Sequence, residues 1–282
     1  MSVLQPQVLY EDPGLLALDK PAGVLAHGEE GQTSALSWAR DREAARGRDP
    51  EQLVLVHRLD RETSGVLLLA RGVELAEKVN AAFRERRVLK VYLALCAPIP
   101  PLRWLRIEQR LVPERLGAGE RMRVVLEGGI EAYSEIEVLS RGRQLALVRV
   151  IPEQGRKHQV RVALASAGAP IAGDFLYGGN LSKKLAKRVM LHARTLELRH
   201  PVTQEHLVLR APLPADFKTL ILQDAGTFPA DLDVRHRVVD KPIKGPQLPG
   251  RLGEKRQNAQ ADAVPAPREL RRRTPRRTDQ KP

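Results

Sequence analysis

The chain has 282 residues, a single cysteine, and 47 Lys and Arg against 34 Asp and Glu, which gives a net charge of +13 at pH 7. Its 42% apolar content is ordinary for a globular protein and excludes wholesale disorder and collagen-like or coiled-coil rods. The lone Cys96 excludes an internal disulfide framework and favours a reducing compartment. Neither a signal peptide nor a membrane span is visible, so we expect a cytoplasmic protein whose positive charge suits nucleic acid.

The positive charge is unevenly distributed along the chain. Residues 234–282 hold 14 Lys and Arg against five Asp and Glu, a net of +9, which leaves +4 for residues 1–233. This tail contains seven Pro and no aromatic residue, so it cannot bury enough apolar surface to offset its ordering entropy. The sequence therefore predicts a folded domain over 1–233 and a disordered basic tail over 234–282. The tail either contacts phosphate backbones or serves only to keep the protein in solution.

The first third of the folded domain alternates short apolar runs with turn signals. These runs predict a hairpin and two buried strands, at 8–10, 15–18, 53–56 and 66–69. Leu75, Val79 and Phe83 recur every four residues and predict an amphipathic helix over 74–86. A further helix is expected over 33–46.

Strands dominate the rest of the domain. They are expected at 90–97, 105–111, 122–126, 131–138, 144–151, 191–198 and 206–210. Val160, Leu164 and Ala167 share one helical face, which predicts a helix over 157–167 ended by Gly168. This mixture is not a regular alternation of strand and helix, so it indicates an α+β fold with a mixed sheet.

A charged loop at 57–65 lies between two of the predicted buried strands. Its Asp60 is surrounded in sequence by His57, Arg58 and Arg61, and an adjacent cation keeps a carboxylate ionised and well placed. Strands on both sides would hold the loop rigidly, as catalytic groups require. The alternative is that Asp60 only caps a turn or pairs with an arginine. A protein-kinase catalytic loop is excluded, because Gly65 stands where that loop needs Asn.

Tyr92, on the predicted strand 90–97, is a second candidate. Its side chain offers a flat apolar face and a hydroxyl group, which together suit stacking on a planar base. A tyrosine on a strand can equally serve the core alone.

The third candidate is the segment 155–161 (GRKHQVR), which enters the helix predicted over 157–167. Gly155 permits close backbone approach, and cations at the start of a helix attract an anion. The alternative is a solvated basic helix face. The seven histidines show no metal-ligand spacing, and no phosphate loop or dinucleotide motif is present, so we expect neither a metal nor a cofactor.

Five groups of residues occur in order: 18–24 (LDKPAGV), 57–66 (HRLDRETSGV), 90–94 (KVYLA), 155–161 with 170–174 (PIAGD) and 177–178, and 191–193 with 200–203. Together they resemble the motifs of the RluA-type pseudouridine synthases, and the resemblance spans about 8–222. It implies an α+β fold with a mixed, mostly antiparallel sheet, flanking helices and a central basic cleft. It also implies that 1–233 is a catalytic domain that isomerises uridine in structured ribosomal or transfer RNA, without a cofactor.

The resemblance assigns roles to individual residues. Asp60 would be the nucleophile, Tyr92 would stack on the uracil and assist proton removal, and Arg161 would pair with Asp60. RNA or substrate contacts are expected from Arg58, His57, Lys157 and Val160, with Arg58 filling the space that the flipped uridine leaves.

Ala163 and Ala169 stand where the family often carries His, and they flank the predicted site. We expect a monomer that binds RNA and no membrane. One alternative is an RNA-binding or ribosome-assembly factor that kept the fold and lost the chemistry. Another is a hydrolase that uses His57 and Asp60.

Overall fold

The short apolar runs of the sequence form one large sheet. The computed structural model describes residues 5–29, 32–117, 119–227 and 232, and eleven strands of this part of the chain hydrogen-bond together. The strands are β1 Gln7–Glu11, β2 Leu15–Lys20, β3 Leu53–Leu55, β4 Ser64–Arg71, β5 Leu89–Cys96, β6 Trp104–Leu116, β7 Gly119–Val125, β8 Ile130–Arg141, β9 Ala146–Pro152, β10 Leu191–Arg199 and β11 His206–Arg210. The helices of the same residues are α1 Ala35–Ala44, α2 Val73–Arg84, α3 Gln159–Ser166, α4 Phe175–Leu185 and α5 Ala215–Ala225.

The strand order is β1-β2-β4-β10-β5-β9-β8-β6-β7, with β3 added to β4 and β11 added to β10. Among the described strands, β4 and β10 pair in parallel and every other pairing is antiparallel. The fold is thus α+β with a mixed, mostly antiparallel sheet, which confirms the expected fold class.

The uninterrupted apolar run of β4 is explained by cover on both of its faces. Leu67 belongs to a buried cluster that includes residues of α1, whereas Leu68 belongs to a second cluster that includes residues of α2. Because successive strand residues point to opposite faces, both sets must be apolar. In the other half of the sheet, Leu93 and Val148 form a third cluster with Leu164 of α3 and Phe217 of α5.

The predicted hairpin and the strands of the first third are confirmed, as are the helices α1, α2 and α3. Two features were missed. β6 is longer than the strand predicted at 105–111, and α4 and α5 were not predicted. In α4 the backbone breaks at Gly179, and the two glycines 178–179 obscure the helical pattern.

No helix in the described part of the chain has the length and apolar composition needed to cross a membrane. The predicted basic tail over 234–282 lies outside the described residues, so the boundary at 233 stays a prediction.

Candidate active site

The loop that joins β3 to β4 carries Asp60 into a cleft of about 440 Å³. The cleft combines cations, polar groups and apolar walls, and its lining residues are Arg58, Leu59, Asp60, Thr63, Tyr92, Pro152, Gln154, Gly155, Arg156, His158, Gln159, Val160, Arg161 and Leu191. Three arginines and a single carboxylate line it, so the expected basic cleft is present and Asp60 is its one acidic group among the described residues.

Lys20 binds the backbone of this loop at Arg61. Its ammonium group is fully buried and donates hydrogen bonds to the carbonyl oxygens of Pro21, Val24 and Arg61, at 3.0, 2.6 and 3.2 Å. Burial lowers the pKa of Lys20 to about 8. The backbone N–H of Gly23 also donates to the Arg61 carbonyl at 2.8 Å. Residues 18–24 therefore fix the backbone one position after Asp60.

A close approach of two strands supports the other end of the loop. Gly65 of β4 pairs in parallel with Ala193 of β10 and has φ of 114°. A Cβ atom at this position would collide with the Ala193 backbone, so only glycine fits. The close pairing of β4 with β10 therefore explains why the motif 57–66 has glycine at position 65.

Two cationic or polar side chains face the Asp60 carboxylate, which is 29% exposed. Arg161 Nη1 lies 3.7 Å from Asp60 Oδ2, and His158 Nε2 lies 4.0 Å from the same oxygen. The structure thus brings Asp60 and Arg161 together, as predicted, but with a looser contact than a hydrogen bond.

Arg161 makes its strong contact elsewhere. Its Nε and Nη2 atoms donate to the two carboxylate oxygens of Asp174 at 2.7 and 2.8 Å, a bidentate geometry that leaves Nη1 directed to Asp60. Asp174 is fully buried and also accepts hydrogen bonds from the backbone N–H groups of Leu176 and Tyr177 at the start of α4. Sequence analysis placed Asp174 within a motif but gave it no role.

The orientation of His158 follows from its neighbours. The Tyr177 hydroxyl accepts a hydrogen bond from the Met122 N–H at 2.8 Å and lies 2.8 Å from His158 Nδ1. A Tyr177 hydroxyl that donates its own proton to Nδ1 would leave the neutral ring with its proton on Nε2, which faces Asp60. Burial lowers the pKa of His158 and favours this neutral form. The left-handed backbone of His158, with φ of 54°, is a strain of the kind that clusters at functional sites.

Tyr92 borders the cleft from β5, where it pairs with Ala193 of β10 and Val150 of β9. Burial raises the pKa of Tyr92 well above its usual value of 10, and the nearby Asp60 carboxylate raises it further. The phenol therefore stays protonated at neutral pH, which makes its hydroxyl a hydrogen-bond donor.

Of the other predicted contact residues, Arg58 and Val160 line the cleft. His57 and Lys157 are not among the lining residues of the described chain. His57 Nε2 accepts a hydrogen bond from the Leu68 N–H at 2.9 Å, its ring centroid lies 5.2 Å from that of Phe83, and burial lowers its pKa to about 4. This is the environment of a neutral packing residue, so the geometry gives no support to an RNA contact by His57.

Lys157 is exposed and its Nζ lies 2.7 Å from Glu120 Oε1. Ala163 and Ala169 are both fully buried, so neither touches the cleft surface and their effect on substrates would be indirect. The described residues hold no group of three His, Cys, Asp or Glu side chains placed to bind a metal ion.

Known proteins are similar to this chain in sequence and in fold. Ribosomal large subunit pseudouridine synthase C of Pasteurella multocida is 35% identical over 228 residues, covering 78% of this chain and 68% of that protein. An uncharacterized RNA pseudouridine synthase of Bacillus subtilis is 36% identical over 220 residues, covering 76% and 70%.

Two solved human structures have a similar fold. RNA pseudouridylate synthase domain containing 4 matches with a TM-score of 0.62 and 29% identity, covering 76% of this chain and 91% of that one. RNA pseudouridylate synthase domain containing 1 matches with a TM-score of 0.64 and 25% identity, covering 74% of this chain and 84% of that one. Residues 14–166 match the family described as RNA pseudouridylate synthase. The chain therefore belongs to the RNA pseudouridylate synthase family, and it is an RNA-modifying isomerase.

Proposed function

We propose that this enzyme converts uridine to pseudouridine in ribosomal RNA of the large subunit, with Asp60 as the nucleophile. The observation that carries the proposal is the single carboxylate of a basic cleft, held 3.7 Å from the Arg161 guanidinium. The choice of ribosomal over transfer RNA follows the relatives with similar sequences, several of which are ribosomal large subunit pseudouridine synthases.

The chemistry is an isomerisation that begins and ends with the same carboxylate. Asp60 attacks either the ribose anomeric carbon or the uracil ring, and the bond between the ribose and the uracil nitrogen breaks. The uracil turns and rejoins the ribose through carbon, that carbon loses its proton, the freed ring nitrogen takes up a proton, and the bond to Asp60 breaks. Since the product has the composition of the substrate, no second substrate and no redox partner are needed.

We propose a part for each of the residues around Asp60. Tyr92 would present its ring to the uracil, and its raised pKa makes it a hydrogen-bond donor at neutral pH. Arg58 would fill the gap that the flipped uridine leaves in the RNA, and Val160 would contact the base. Arg156 and Arg161 would add attraction for the phosphate backbone.

We further propose that the protein acts as a monomer in the cytoplasm. The described residues of one chain bring Asp60, Tyr92 and Arg161 to the same cleft, which supports a site built within one copy. A single buried, unpaired Cys96 agrees with a reducing compartment.

Exchange of Asp60 for Ala tests the nucleophile. D60A is expected to form no pseudouridine while it still binds RNA, because the cations of the cleft are unchanged. Pseudouridine should be mapped across total RNA from cells that carry the wild type, D60A or neither, and RNA affinity measured with the purified proteins. Glu62→Gln, which alters another acidic residue of the same loop, serves as the matched control and should keep activity.

Three outcomes are informative. Wild-type levels of pseudouridine with D60A would refute the nucleophile. Missing sites confined to transfer RNA would refute the ribosomal substrate. An unchanged RNA map without the protein would support the alternative of a silent RNA-binding factor.

A further inference from the structure

The first residue of α4 exposes an aromatic ring to solvent. Phe175 is 59% exposed, although it directly follows Asp174, which is fully buried. Lys183 Nζ lies 5.3 Å from the centroid of the Phe175 ring, a cation–π distance. The ring is therefore held under a cation with much of its surface in water.

The charge of the surrounding segment has one sign. Residues 175–190 contain four cations and no acidic residue. Arg188 pairs with Asp216, whereas Lys183, Lys184 and Lys187 are exposed and pair with no carboxylate among the described residues. Lysines in the last turn of a helix favour its dipole, but that effect does not explain an exposed phenyl ring beside them.

This surface is rigidly connected to the active site. Asp174 binds Arg161 through two hydrogen bonds, and Arg161 in turn faces Asp60. The Arg161 guanidinium also lies 5.2 Å from the centroid of the Tyr177 ring. Tyr177 follows Phe175 by two residues in α4. Only two side chains therefore separate the Asp60 carboxylate from the backbone that carries Phe175.

We propose that Phe175, Lys183 and Lys184 form a nucleotide-binding subsite, the α4 platform, for an unpaired nucleotide next to the target uridine. The base stacks on the Phe175 ring and a neighbouring phosphate contacts Lys183 and Lys184. The inference rests on the proposed RNA substrate and extends it. Flipping the uridine into the cleft removes a stacking partner from its neighbour, and an exposed aromatic ring replaces that partner irrespective of base identity.

The cations decide between RNA and a protein partner. An apolar docking surface for a protein would be depleted of charge at its centre, whereas here a lysine ammonium lies over the ring itself. Stacking on an aromatic ring combined with nearby lysines is the usual arrangement for single-stranded nucleic acid.

The test uses the full-length enzyme and a ribosomal RNA fragment that contains its target uridine. Loss of one stacked base costs about 1–3 kcal/mol, so Phe175→Ala should raise KM and Kd about 5- to 150-fold. The kcat at saturating RNA should be unchanged, because Asp60, Tyr92 and Arg161 are untouched. Phe175→Tyr should restore affinity and Phe175→Leu should not, since only the former has an aromatic face.

A double exchange, Lys183→Gln with Lys184→Gln, should lower the slope of log Kd against log salt by up to about 2. Trp104→Ala removes another exposed aromatic ring, 50% exposed on β6, and is the matched control that should leave Kd unchanged.

Equal Kd for Phe175→Ala and the wild type would overturn the platform, as would a fall in kcat with unchanged KM. That second result would mean that the exchange disturbs Asp174 and Arg161 instead. Both results leave the proposed function standing if the wild type still forms pseudouridine in the fragment. Conversely, wild-type protein that binds the fragment without modifying it would refute the proposed function, and the Kd comparison would still test the platform.

Discussion

Asp174 is the side chain on which the geometry around Asp60 depends most directly. It accepts two hydrogen bonds from Arg161 and two more from backbone N–H groups at the start of α4, and it is fully buried. A buried carboxylate that accepts four hydrogen bonds is a positioning residue here, since it fixes an arginine that itself faces the reacting group.

Asp174→Asn keeps the shape of the side chain and removes its charge. We expect kcat to fall about 100-fold, because a displacement of about 1 Å at Arg161 has that cost. Loss of a buried ion pair should also lower the free energy of unfolding by about 3–5 kcal/mol. Single-turnover kinetics and urea unfolding measure the two effects. Asp216→Asn breaks a bidentate pair that is 48% exposed on the aspartate side, and it should cost less than about 1 kcal/mol.

His57 links stability to pH. Burial lowers its pKa to about 4, against about 6.5 in an unfolded chain, so the unfolded state binds the extra proton between these values. His57 therefore leaves the free energy of unfolding unchanged above pH 6.5 and lowers it progressively as the pH falls from 6.5 towards 4. At about 1.4 kcal/mol per pKa unit, the total loss in free energy of unfolding amounts to roughly 3 kcal/mol.

We therefore predict that urea unfolding of His57→Gln loses much less stability between pH 7 and 4.5 than the wild type does. His192, whose pKa burial also lowers to about 4, keeps its own contribution in both proteins. Asp19 acts in the opposite direction, because burial raises its pKa to about 6. The contributions of His192 and Asp19 to the pH dependence are the same in the variant and the wild type, so they cancel in the comparison. Parallel pH profiles for the two proteins would contradict the prediction.

At the scale of elements, the parallel contact of β4 with β10 decides where the Asp60 loop sits. Antiparallel neighbours surround this pair, and the contact is close enough to exclude a Cβ atom at Gly65. Since Asp60 lies five residues before Gly65, any shift of β4 relative to β10 moves the nucleophile.

Gly65→Ala should lower the free energy of unfolding by more than about 2 kcal/mol, because it adds a backbone collision to the strain of a positive φ. Thermal unfolding measures the loss. Gly155→Ala is the control, since its Cβ would meet no atom within 4 Å and its φ is not positive. Similar melting temperatures for the two variants would show that β10 can yield to the extra atom.

For the whole molecule, the distribution of charge predicts how firmly RNA is held. Residues 1–233 have a net charge of only +4, whereas residues 234–282 carry +9 and lie outside the described residues. Removal of 234–282 should therefore weaken RNA binding most at low salt and reduce the salt slope of Kd, because each phosphate contact releases counterions. The kcat at saturating RNA should not change. An unaltered salt slope, measured from 50 to 200 mM salt, would show that the tail makes no RNA contact.

The sequence by itself determined the strands, three of the five described helices and several of the residues that line the cleft, whereas His57 and Lys157 were predicted for the site and do not line it. Alternating or continuous apolar runs are local signals, and they predicted β1, β2, β4 and β5 within a few residues. The residues of the motif 57–66 indicated Asp60 through their resemblance to a family. The same local signals missed α4, because Gly178 and Gly179 interrupt its pattern.

Only the tertiary structure decided how those residues act on one another. Arg161 binds Asp174 more closely than Asp60, Lys20 holds a carbonyl 41 positions away, and His57 faces the core. Phe175 is apolar, yet the fold leaves it 59% exposed. The physical reason is that hydrogen-bond direction and burial depend on distant segments that meet only when the sheet forms.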